Sequence, residues 1–159
     1  MVNFADRDFC RAVRLAFENV RFPEKLIRRS ANLEAERLCS AIKAEKFRVY
    51  SAFGQVAFSY VTPIAGLWLL PMYIIEIYSN FQAKRFSIHH FVASLGNPEQ
   101  DIPTQFGRIG SEMAALASDE QVAIVNEFLA WLKPQYSFEY DVIVDDIERA
   151  EKIWKKRAS

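Results

Sequence analysis

From Val49 to Ile75 the chain carries no Asp, Glu, Lys or Arg, and near the middle of that run stands Thr62-Pro63. This pair constrains the fold more than any other feature. Threonine is a good helix N-cap, and proline fits the first helical position, where its missing N–H costs nothing. The spacing predicts a helix from Pro63 to about Ser79, apolar nearly all round. A helix without a polar face belongs in the middle of a fold. Pro71 inside it removes one backbone hydrogen bond and predicts a kink. The run is also long enough to span a bilayer, but Pro63, Pro71, Gly54, Gly66, Gln55, Ser51, Ser59 and Thr62 interrupt it and Glu76 follows. A buried central helix preceded by a turn explains the run better than a membrane span.

Around this centre, helical periodicity recurs. Phe9, Val13, Ala16, Phe17 and Val20 form one stripe of a first helix from about Asp6 to Val20, with Pro23 as its stop. A second helix is expected from Ser30 or Asn32. The stretch Phe47 to Phe58 fits a helix better than a strand, although its alternation keeps a strand open. Ser87 is placed to cap a short helix to Leu95, closed by Gly96-Asn97-Pro98. A helix from about Thr104 to Ala117 contains Gly107 and Gly110, which weaken it. Ser118-Asp119-Glu120-Gln121 reads as a capping box, and the helix it opens ends at Pro134. The last helix, near Tyr140 to Lys156, repeats Ile143, Ile147, Ala150 and Trp154 on one face.

These elements give an all-α fold, a single compact domain over residues 1–159 with six or seven helices around a buried central helix. Only five Gly and six Pro interrupt 159 residues, which disfavours a turn-rich sandwich or barrel.

Composition narrows the function. Lys+Arg and Asp+Glu both number 20, so no basic excess offers itself to phosphates, and nucleic acid is not an expected partner. The short basic group Arg21, Lys25, Arg28 and Arg29 reads as a solvated helix end or loop. The N-terminal residues have no apolar signal segment, which makes the cytoplasm the expected location, with no membrane partner. There Cys10 and Cys39 are expected to be reduced and buried.

Chemistry-bearing residues are few. His89 and His90 are the only histidines. Neighbours on a helix point about 100° apart, so the two cannot grip one metal as an HExxH motif does, and one is expected buried with the other solvated. Phe106-Gly107-Arg108-Ile109-Gly110 lacks the third glycine and the Lys-Ser/Thr of a phosphate loop. No Gly-x-Ser-x-Gly elbow occurs. No catalytic residue, metal site or cofactor is expected from motifs.

The densest charge feature is Glu139, Asp141, Asp145, Asp146 and Glu148 at the start of the last helix, opposite Lys152, Lys155, Lys156 and Arg157 at its end. That gradient suits the helix dipole. The acids follow no EF-hand order. As a patch, they are the candidate surface for docking a basic partner.

Three segments resemble a family of small, functionally uncharacterised bacterial helical proteins. Ala16-Phe17 with Phe22-Pro23 is similar to its N-terminal pattern. Tyr60-Val61-Thr62-Pro63-Ile64-Ala65 and Leu70-Pro71-Met72-Tyr73-Ile74 resemble its Leu-Thr-Pro…Leu-Pro centre. Ser118-Asp119-Glu120-Gln121 and Phe128-Leu129-Ala130-Trp131-Leu132 resemble its late Gln…Phe-Leu helix. The likeness covers about Phe9 to Leu132. Ile64 stands where that family tends to carry an acid, and Leu67-Trp68-Leu69 where it tends to carry tyrosines. The resemblance implies fold and class, with no activity or catalytic residue to carry over.

Three functions remain open at this point. The leading one is a small cytosolic protein–protein interaction protein, with a toxin-neutralising immunity protein as its specific form; zero net charge counts against an inhibitor of basic nucleases. The second is a small-molecule or peptide-binding module with a cavity lined by aromatics of the central helix. The third is a hydrolase-like enzyme built on His89 or His90 with a nearby acid. The oligomeric state is left open.

Overall fold

The computed structural model describes residues 4–26, 40, 61–81, 85–96, 108–136 and 141–155, the side chains of 4–7, 85–87 and 141–142 excepted. Six α-helices occupy these residues: α1 (Phe4–Phe17), α2 (Pro63–Ser79), α3 (Arg85–Leu95), α4 (Ile109–Leu116), α5 (Asp119–Leu132) and α6 (Asp141–Lys155). A 3-10 turn, Lys133–Tyr136, follows α5. The fold is all-α. The expected second helix, the Phe47 to Phe58 stretch and Cys39 lie outside the described residues.

Helix α2 starts where the sequence predicts. The Thr62 hydroxyl oxygen accepts from the Ala65 amide at 3.3 Å, and Pro63 opens the helix. The same hydroxyl donates to the Lys25 carbonyl at 2.7 Å, while the Thr62 amide donates to Leu26 O at 3.0 Å. One residue therefore both caps α2 and ties it to the segment that follows α1. Pro71 sits within a helix that continues to Ser79. Ala65, Leu69, Leu70, Tyr73 and Ile74 are wholly shielded from solvent. Burying a leucine or isoleucine this fully contributes roughly 2 kcal/mol relative to exposure.

The core is one cluster drawn from every helix, including Val13 and Phe17 of α1, Ile88 and Val92 of α3, Met113 of α4, Val125 and Phe128 of α5, and Ile147 and Trp154 of α6. In α1 Phe9, Val13 and Phe17 of the predicted stripe are buried, as is Cys10 beside them, while Asp8, Arg11 and Arg14 face solvent. Helix α1 ends at Phe17, earlier than Val20, because the chain turns at Glu18 and Asn19. The last carbonyls of a helix lack intrahelical partners. Here the Ala16 carbonyl accepts from Gln121 Nε2 at 3.0 Å, so the early end is matched to the start of α5.

The capping box of α5 has both arms. Ser118 Oγ accepts from the Gln121 amide at 3.2 Å, and Gln121 Oε1 accepts from the Ser118 amide at 2.9 Å. The α-helix gives way at Leu132 and the chain tightens into the 3-10 turn that contains Pro134. Ser87, expected as a cap, lies inside α3, which already begins at Arg85. Helix α4 begins at Ile109 with no side-chain cap from Arg108.

Aromatic rings link the layers. Phe9 meets Tyr78 at 4.5 Å between centroids, Tyr78 meets Trp131 at 4.6 Å, and Trp131 meets Phe128 at 6.0 Å. Phe91 then joins Phe128 at 5.9 Å and stacks on Tyr73 at 5.2 Å. Tyr73 and Tyr78, two aromatics of the central helix, take part in these ring contacts.

Candidate functional site

Helix α3 packs along α6, and the two meet α4 near the C-terminal end of α3. Three backbone features bring them close. The carbonyl oxygen of Leu95, at the end of α3, accepts from the Trp154 indole N–H at 3.2 Å in a buried position. Gly110 of α4 lies against the same carbonyl: a Cβ there would overlap it and would stand 2.7 Å from the Ser94 oxygen. Gly96 passes so near α6 that a Cβ would lie 3.0 Å from both the Ala150 nitrogen and the Asp146 carbonyl oxygen. Gly110 thus has a packing role that outweighs its poor helix propensity.

This close approach sets His89 of α3 against Asp146 of α6. His89 Nε2 lies 3.0 Å from Asp146 Oδ2, and Arg149 Nη2 donates to Asp146 Oδ1. Asp146 is buried, with 6% of its surface exposed. Both its carboxylate oxygens are therefore engaged, which a buried charge requires. A carboxylate only accepts, so Nε2 is the donor in this contact and Nδ1 is the ring's second nitrogen. The His89 side chain is 47% exposed, so that second nitrogen belongs to a ring in contact with solvent.

A carboxylate that orients an imidazole is half of an acid–base arrangement. The other half would be a hydroxyl or thiol bonded to the ring. Among the described residues none is: Ser94 Oγ donates to the His90 carbonyl at 2.9 Å, and Cys10 Sγ lies 3.7 Å from Ser79 Oγ. Cys10 is buried with its thiol free of any disulfide. Both histidines are exposed, which corrects the expectation that one would be buried; their rings lie 5.9 Å apart. No group of three His, Cys, Asp or Glu among the described residues could hold a metal ion.

The acidic set separates. Glu139 and the side chain of Asp141 lie outside the described residues. Asp145 is exposed and makes no ion pair with a described residue. Asp146, which sequence reasoning placed in the solvated patch, turns inward to His89 and Arg149 and is not available to a partner. Adjacent helical positions diverge by about 100°, and here Asp146 falls on the side of α6 that packs against α3 while Asp145 falls outside it. Glu148 is exposed and pairs with Lys133 at 3.3 Å; Lys133 also reaches Glu151 at 3.3 Å. Hydrogen bonds to Glu148 and then to Glu151 hold the Lys133 ammonium above its ordinary range.

Sequence reasoning missed Arg149 and Lys133. The i,i+3 spacing of Asp146 and Arg149 was a usable signal for the first. Nothing local announces the second, because it comes from the turn after α5.

No helix among the described residues is long and apolar enough to cross a membrane. Comparison with known proteins finds no matching family model, no matching curated protein and no matching solved structure.

Proposed function

We propose that this chain is a small protein–protein interaction module of the bacterial cytoplasm that docks a basic partner on the outer face of α6, in the manner of an immunity protein neutralising a toxin. The observation that carries this reading is the state of Asp145: an exposed carboxylate, without an ion pair to any described residue, beside the exposed Glu148. Fixed charge in that position steers a basic partner and sets its register. The other groups on this part of the molecule are already engaged with each other. Asp146 serves His89 and Arg149, and Lys133 serves Glu148 and Glu151.

The test is affinity purification of the tagged chain from native lysate, run in parallel with Asp145→Lys. A stoichiometric partner held by the wild type and lost by the variant supports the reading. A partner held equally by both sinks the α6 face, and the absence of any partner sinks the interaction role.

A second reading, a hydrolase-like enzyme using His89, is favoured by one observation: the 3.0 Å contact between His89 Nε2 and the buried Asp146 carboxylate. It calls for activity on activated esters that His89→Ala abolishes and His90→Ala leaves intact. Equal rates in all three proteins would remove it.

A further inference from the structure

We draw no further inference here: the strongest candidate, the exposed apolar patch that Phe22 forms with Trp68 and Ile64 at the N-terminal end of α2, carries nothing because no feature of the structure shows what covers it.

Discussion

Trp154 and Leu95 are joined by a buried hydrogen bond, indole N–H to carbonyl oxygen at 3.2 Å, across 59 residues of chain. It supplies a partner to a carbonyl at the helix end, where the α3 ladder has none to give. Trp154→Phe keeps an aromatic ring in the core but removes the donor, leaving the Leu95 oxygen shielded from water. An orphaned buried acceptor costs about 1–3 kcal/mol, and the smaller ring adds a cavity. Urea unfolding should show a lower midpoint with an unchanged slope. An unchanged midpoint would mean the bond contributes nothing.

Gly110→Ala sets two effects against each other. Alanine is better than glycine by about 1 kcal/mol in a helix interior, and by less at the second residue of α4, where Gly110 stands. Against that, the new methyl would overlap the Leu95 carbonyl and press on Ser94 O, both backbone atoms that cannot swing aside. Forcing a group into a packed interior typically costs about 1–3 kcal/mol, and more when backbone must move. The collision should win, so thermal unfolding of Gly110→Ala should come at a lower temperature than wild type. A stabilised variant would show that α3 and α4 separate easily.

The contrast with Gly110 shows what the sequence made legible. The α2 start at Thr62-Pro63, its end at Ser79 and the α5 capping box follow from local chemistry, and all are found. The inward stripe of α6 (Ile143, Ile147, Ala150 and Trp154) is found too, because periodicity alone sets which face packs. The same periodicity cannot say which neighbour a polar group will meet. Gly110 read as a weak point in a helix, and only the approach of α3 gives it a purpose. Asp146 read as one of five acids, and only the packing of α3 on α6 singles it out.

Gln121 holds three hydrogen bonds at once: its amide to Ser118 Oγ, its Oε1 from the Ser118 amide, and its Nε2 to Ala16 O. Glutamate at this position keeps the first two and suits the helix N-terminus, but it has no donor for Ala16. Gln121→Glu should therefore destabilise by about 1 kcal/mol or more, although capping alone would favour it. Gln121→Ala should cost more, since it also loses the return arm of the box. Chemical denaturation of the two variants gives the order. Gln121→Glu equal to or more stable than wild type would show that the long-range bond to α1 is not used.

Asp146 and His89 share a contact, yet their removal should not be equivalent. Asp146→Ala strips two partners at once and opens space in a buried position, and breaking an internal ion pair of this kind costs up to about 3–5 kcal/mol. Because His89 and Arg149 are partly hydrated, about 2 kcal/mol is the expected scale here. His89→Ala leaves Asp146 with Arg149 and removes a half-exposed ring, so it should cost less than about 1 kcal/mol. Unfolding of both variants at one pH checks the ratio. Equal losses would make the imidazole, and not the carboxylate, the anchor between α3 and α6.

Alkaline pH gives the last test. Burial pushes the Tyr73 phenol well above its ordinary value of 10.0, because the phenolate would lie in the core between Phe91 and the rest of α2. Above pH 10 the unfolded chain ionises this group while the folded chain keeps it neutral. The unfolded state then binds fewer protons, so stability falls as pH rises, by up to about 1.4 kcal/mol per pH unit for this one group. Lys133 acts in the same direction: its folded value lies above 10.5, so the stability from its bonds to Glu148 and Glu151 is present below that pH and lost above the folded value. Lys133 is only partly buried and its bonds reach solvent, so its share should be the smaller. Tyr73→Phe should therefore flatten the decline of stability between pH 10 and 12 more than Lys133→Met does. If the two variants and wild type decline in parallel, neither Tyr73 nor Lys133 controls the alkaline transition.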